Sequence, residues 1–241
     1  MTVRTILRSA FESITNVERG FWYTMIHLFY QPGTVAREYL AGKHKTYYNP
    51  LRYLIVIVAV NTLIMVASGF YDRQYEAMER FQSGMWAQQE QEQQAALSEE
   101  EYTRTARIQE ATKKFLNIIA LLTLPFIGLV SYLGFRKRDF NYAEHLAFNA
   151  FWNAQSALFG LTIILLMFCI PMLIIWSFVF IMSVNILYYT VGYRQLFGIT
   201  YGRAFLKATL TLIGGFLLFY LTTILLTFIC VAIYLTLFNY T

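Results

Sequence analysis

The sequence predicts an all-α fold of the membrane class, a polytopic helical bundle of about five transmembrane helices, on three observations. Hydrophobic residues fill 57% of the 241 positions and charged residues only 14%, where a soluble domain carries about 25% charge. Long apolar runs recur. Leu51–Phe70 has a single charge, Arg52, at its very start, and at about 1.5 Å per residue such a helix crosses the roughly 30 Å hydrocarbon core. Thirteen of the nineteen Lys and Arg residues lie in segments that alternate with these runs to give one consistent topology. Phe and Tyr, 21 and 18 in number, suit helix anchoring at both interfaces.

Residues 1–50 form a cytoplasmic, interfacial segment. Between residues 3 and 18, Val3, Ile6, Leu7, Ala10, Phe11, Ile14 and Val17 share one helical face, with Arg4, Arg8, Glu12 and Glu18 on the other. That spacing predicts an amphipathic helix, lying in the membrane surface or packed on protein. Gly20-Phe21-Trp22-Tyr23 is an aromatic cluster suited to the headgroup layer. Gln31-Pro32-Gly33 breaks the chain. Thr34 is the expected cap of a short helix, Val35–Leu40, which Gly42 ends. Pro50 then sits at the start of the first span, a favoured place for proline. No signal-peptide apolar core precedes this span, so insertion is expected to use it.

Residues 51–241 form the transmembrane bundle. After Leu51–Phe70, a polar excursion over 71–113 leaves the membrane, with a glutamine-rich middle, Gln88–Gln94. Ser98 and Glu101 make a capping-box pattern for a helix leading into the second span, Phe115–Phe135, where Pro125 is tolerated as a kink. The third span runs from Glu144-His145 to Ile170. Pro171 is the expected turn into the fourth, Met172–Tyr193. Gly214-Gly215 is the expected hinge between an interfacial helix and a fifth span, Phe216–Phe238. Cys169 and Cys230 lie deep in apolar runs and read as small buried hydrophobes. Segments on the side of residues 1–50 carry a charge balance of +8, and the excursion with the adjoining Lys114 carries −3. Basic residues mark the cytoplasmic side. The N-terminus is thus expected inside, the excursion and the C-terminus outside.

Pro32-Gly33, Arg37-Glu38-Tyr39-Leu40, Gly42-Lys43, Tyr47 and Pro50 together resemble the signature of a bacterial membrane family known as domain of unknown function 3667. Tyr142-Ala143-Glu144-His145-Leu146-Ala147-Phe148 extends the resemblance. So do Asn185-Ile186-Leu187-Tyr188, Tyr193-Arg194, Phe197-Gly198, Arg203 and Lys207. The resemblance implies architecture and positions of interest, with no reaction attached. Family members often carry a cysteine-rich zinc ribbon that this sequence lacks. His44 stands where the family usually has Arg, and Phe151 and Asn153 stand where it often has His. The five-span layout is also similar to that of Yip1-type membrane proteins, an analogy of fold alone.

Three constellations could carry function. Arg37, Lys43, Lys45, Arg52, Arg136, Lys137, Arg138, Arg194, Arg203 and Lys207 form a cytoplasmic basic belt. Such clusters attract anionic lipid headgroups or phosphate; the plainer reading is that they only set orientation. Glu144 and His145 form an ionisable pair at a membrane edge, able to relay protons as an acid–base pair; the plainer reading is a helix start with Glu144 at the favourable dipole end. Asn61, Asn149, Asn153, Gln155 and Asn185 are intramembrane amides that line a polar pathway or simply tie helices together.

No nucleophile elbow, P-loop, zinc-protease helix or dinucleotide fingerprint occurs, which weighs against an enzyme. His27, His44 and His145 are too scattered to predict a metal site, and neither a cofactor nor a nucleic-acid partner is expected. The leading expectation is a non-enzymatic membrane component that binds anionic lipid or a protein partner through its basic face. The alternatives are a small oligomeric channel or permease lined by the amides, and a headgroup-layer enzyme using Glu144 and His145.

Overall fold

The computed structural model describes residues 20–70, 73, 121–136, 140–167 and 176–238. The expected amphipathic helix before residue 20, the excursion apart from Arg73, Lys137, Arg138, Cys169 and the Pro171 turn all lie outside these. Among the described residues there are seven α-helices and no strand. They are α1 (20–30), α2 (Pro32–Leu40), α3 (Pro50–Ala67), α4 (Leu121–Gly134), α5 (Tyr142–Met167), α6 (Ser177–Phe197) and α7 (Tyr201–Phe238).

The helix ends follow from local chemistry. Gln31 separates α1 from α2, and Pro32 takes the first turn of α2, where a missing N–H costs nothing. Thr34 is therefore inside the helix and caps nothing, contrary to expectation, because proline claims the start two residues earlier. Gly42, at φ 100°, closes α2 in the left-handed region as expected. The Asn49 side-chain oxygen accepts from the Leu51 and Arg52 amides at 3.1 Å each, so α3 is capped just ahead of Pro50. Gly69 and Gly198, also at positive φ, follow the ends of α3 and α6.

A second departure concerns Gly214 and Gly215. They do not divide α7, which runs unbroken for 38 residues, roughly 57 Å of helix. Their role is close approach. A Cβ on Gly215 would lie 2.7 Å from Ile127 Cγ1 and 2.9 Å from its Cα, and one on Gly214 would lie 3.2 Å from Val130 Cγ1. The pair lets α7 press against the α4 backbone, the use that small residues serve at packed helix crossings.

The chain forms two compact units. One comprises Met1–Tyr53, Leu122–Asn153 and Ile186–Thr241; the other comprises Leu54–Leu121 and Ala154–Asn185. The first has an aromatic core, with Tyr53, Phe148, Phe151, Trp152, Tyr189 and Tyr193 fully buried. Trp152 anchors it, meeting Phe148 at 4.9 Å, Tyr193 at 5.2 Å and Tyr189 at 5.3 Å between ring centroids, distances at which edge-on pairs are favourable. The second packs Leu161 and Ile181 around Met65 and Phe70.

Among the described residues, two helices are long and apolar enough to cross a membrane, Pro50–Ala67 and Tyr201–Cys230. Their large apolar side chains lie mostly outward: Ile55, Leu63 and Val66 on α3, and Leu217, Leu221, Ile224 and Phe228 on α7, are all exposed. Cys230 is exposed on this same surface and not buried as expected, because the surrounding side chains of α7 are themselves turned outward.

Candidate functional site

Three arrangements in the first unit organise the residues of interest: a clasp, a buried polar chain and a basic cavity. The clasp is built on α2. Gly33 approaches α6 so closely that a Cβ there would lie 2.5 Å from both the Gly192 carbonyl oxygen and the Leu196 nitrogen. Its amide donates to Gln195 Oε1 at 2.9 Å, and the Pro32 carbonyl accepts from Trp152 Nε1 at 3.1 Å. Arg37 donates from Nη2 to the Leu196 carbonyl at 2.9 Å and to the Gln195 carbonyl. Those carbonyls end α6, so the guanidinium acts as a C-terminal cap in the dipole's favourable sense.

The turn after α2 is held by Glu38. It accepts from Lys43 Nζ at 2.8 Å and from the Tyr47 hydroxyl at 2.7 Å. These two donors hold its carboxyl below the usual carboxylate range, while burial and then Glu38 push the Tyr47 phenol up. Lys45 is exposed in the same turn. Arg194 lies 4.0 Å from the centroid of the Tyr201 ring, a cation–π distance.

The polar chain joins four helices. His145, fully buried on α5, shares a hydrogen bond with Ser131 Oγ on α4 at 2.8 Å. The Tyr193 hydroxyl on α6 is placed to donate to Ser131 Oγ at 2.9 Å or to Thr211 Oγ1 on α7 at 3.1 Å. Phe135, Phe148, Phe197 and Tyr132 surround the imidazole, with ring centroids 4.8 to 6.3 Å away. Glu144 is otherwise engaged. Its backbone N–H donates to Asn141 Oδ1 at 3.0 Å and its carboxylate accepts from the Asn141 amide at 2.6 Å, a reciprocal capping box that starts α5. The carboxylate serves the half-exposed helix start, and the imidazole serves the core.

The basic cavity has a volume of about 700 Å³ and is lined by Leu133, Gly134, Phe135, Arg136, Ile199, Arg203 and Lys207. Its geometry follows from two helix ends: α4 closes with Phe135-Arg136, and the first turns of α7 present Arg203 and Lys207 one turn apart. Lys207 donates to the Gly134 carbonyl and sits 4.4 Å from the Phe135 ring centroid. Phe135 stacks on Phe197 at 3.8 Å, so the cavity wall is pinned to the aromatic core. Arg136 and Arg203 are exposed and have neither an ion pair nor a hydrogen bond among the described residues. Among the described residues, the lining holds three cations and no carboxylate.

Arg136, Arg203 and Lys207 are thus brought together from the predicted belt. Arg37, Lys43, Lys45 and Arg194 do not line the cavity. The amides fall in different surroundings. Asn149 donates to the His145 carbonyl of its own helix at 2.7 Å. Asn61 reaches from α3 to the Ala157 carbonyl of α5 at 3.2 Å. Gln155 is buried, and Asn153 and Asn185 are half-buried. The Oδ1 atoms of Asn61, Asn149 and Asn185 are buried without a partner among the described residues, as are Ser156 Oγ and His145 Nε2. No group of three or more His, Cys, Asp or Glu placed to hold a metal occurs among the described residues.

Sequence reasoning passed over Ser131, Thr211 and Gln195. Ser131 and Thr211 are hydroxyls in apolar runs with Tyr132 and Thr209 close by in sequence, so nothing local singles them out. Gln195 gave no signal, since its partners lie on α1 and α2.

Residues 18–61 match the family model described as a protein of unknown function, DUF3667. The matched stretch takes in α1, α2, the Glu38 turn and the first two-thirds of α3. No curated protein and no solved structure matches the chain.

Proposed function

We propose that this chain is an integral membrane protein that binds anionic lipid headgroups, without catalysing a reaction, through the cavity formed by Arg136, Arg203 and Lys207. One observation carries the reading: three cations from sequence positions some seventy residues apart, Arg136, Arg203 and Lys207, converge on one space whose other described lining residues are apolar or glycine. Basic pockets beside apolar helices are suited to phospholipid headgroups. In the layout proposed here, five spans cross a bacterial inner membrane, with residues 1–50 and the cavity on the cytoplasmic side and the C-terminus outside. The outward-facing apolar residues of α3 and α7 support insertion, and the +8 against −3 charge balance supports the orientation.

Native mass spectrometry of the protein in native-lipid particles tests the reading. Bound anionic lipid is expected on the wild type and on Lys45→Ala, and its loss on Arg136→Ala and Arg203→Ala. Lipid retained equally by all four proteins, or absent from all, contradicts it.

A second reading, a small oligomeric channel, draws support from the oxygens of Asn61, Ser156 and Asn185 in the second unit, which are buried without a partner among the described residues. Buried polar atoms without partners are costly and favour a hydrated surrounding. Solute flux in proteoliposomes that Asn61→Leu abolishes would put this reading first; flux indistinguishable from empty vesicles removes it.

A further inference from the structure

We infer that α1 is an interfacial helix whose outward row, Trp22, Ile26 and Tyr30, docks into the headgroup–acyl boundary of the bilayer. The inference rests on the membrane-inserted part of the reading above and is independent of the cavity.

Residues 20–36 contain no Asp, Glu, Lys or Arg, so α1 is uncharged by Asp, Glu, Lys or Arg on every side. One side is covered by protein. Thr24 and Leu28 are fully buried. Thr24 Oγ1 accepts from the Tyr48 amide at 2.8 Å, and the Leu28 carbonyl accepts from the Tyr188 hydroxyl at 2.9 Å. Phe21 turns the same way, meeting Tyr48 at 5.6 Å and Tyr53 at 5.3 Å between ring centroids. The other side is open. Trp22, Ile26 and Tyr30, at i, i+4 and i+8, form one row and are 56%, 52% and 75% exposed. A helix side that faces water ordinarily carries charged and polar groups; this one carries a branched hydrocarbon between two aromatic rings. Trp and Tyr each join an apolar ring to a single N–H or O–H, which suits a boundary with lipid on one side and water on the other.

Length and position set the depth. The eleven residues of α1 make a helix of about 16 Å, well short of the roughly 30 Å hydrocarbon core, so it lies along the boundary and does not cross. Phe21 and Thr24 touch residues on either side of Pro50, the first residue of α3. α1 is thereby fixed beside the start of a helix long and apolar enough to span. A row of three side chains falls far short of the roughly 20–30 residues a side that a stable protein interface uses, whereas a bilayer sets no such minimum. The occupant is a lipid surface.

The test uses the full-length protein with Cys169→Ala and Cys230→Ala, reconstituted in vesicles of phosphatidylcholine alone so that headgroup charge plays no part. Single cysteines are introduced by Ile26→Cys, Tyr30→Cys, Thr46→Cys in the exposed turn and Leu63→Cys on the outer face of α3, all exposed positions. Each is spin-labelled, and its collision with oxygen, which concentrates in lipid, is compared with its collision with a water-soluble nickel chelate. The labels at 26 and 30 are expected roughly 5–10 Å below the phosphates, between the aqueous label at 46 and the deep one at 63. Labels at 26 and 30 that are as open to nickel as the one at 46, with 63 in lipid, overturn the inference and leave the membrane reading intact. Labels as deep as the one at 63 overturn the interfacial assignment. Labels shielded from both reagents show that protein covers the row, either residues 1–19 or a second copy, and overturn the inference as well. A label at 63 open to nickel overturns the membrane reading itself.

Discussion

A methyl group at Gly33 would meet two backbone atoms of α6 at 2.5 Å, and neither can move without shifting the helix. Gly33→Ala is therefore expected to cost about 2–4 kcal/mol, seen as a lowered Tm in detergent; a change below 0.5 kcal/mol would show that α2 and α6 are not so close. Arg37→Ala should also destabilise, by loss of the α6 cap, without selectively removing lipid. Glu38 makes a pH-dependent contribution. Its pKa is lowered in the fold, so the stabilisation is complete above the ordinary carboxylate range and is lost as pH falls through the lowered value. The Tm difference between wild type and Glu38→Gln should be constant from pH 7 to 5 and shrink below about pH 4; a difference that grows on acidification would contradict the assignment. At this scale the first motif was visible in the sequence, but its work was not. Pro32, Gly33, Arg37, Glu38 and Gly42 read as a signature, and Arg37 as a lipid ligand. Their partners, Gln195, Leu196 and Trp152, stand well over a hundred positions away, and no local pattern reveals them.

Helices are where the sequence spoke most clearly, since apolar runs and prolines act within a few residues. Pro50 starts α3, Gly42 closes α2, and α5 begins beside Glu144. The errors came from ambiguous residues. Gly214-Gly215 serves equally as a hinge or as a close-approach surface, and only the position of Ile127 decides. A bulky side chain there should separate α4 from α7: Gly215→Leu is expected to lower Tm by several degrees and to weaken lipid binding, because the cavity is built from those two helices. Retention of both properties would contradict the packing described. The capping box at Asn141 and Glu144 gives a milder case. Asn141→Ala should cost about 1 kcal/mol, and Glu144→Gln, which preserves the reciprocal bond, should be nearly neutral. A large loss in Glu144→Gln would instead favour a charged role for that carboxylate.

On the scale of the molecule, the all-α fold was legible because composition and run length dictate it. The number of spans was less so. Among the described residues, α3 and α7 alone have the length and apolar character to cross a membrane, whereas α5 spends its first turns on His145, Asn149 and Asn153. The convergence of Arg136 with Arg203 and Lys207 could be named as a set but not assembled, since it depends on the contact between α4 and α7. Photo-crosslinking with an anionic-lipid analogue in native membranes tests the central claim most directly. Adducts confined to residues 133–136 and 199–207, and lost in Arg203→Ala, are the expected result. Adducts concentrated around Lys43 and Lys45, or spread evenly along the apolar faces of α3 and α7, would contradict a specific headgroup site in the cavity.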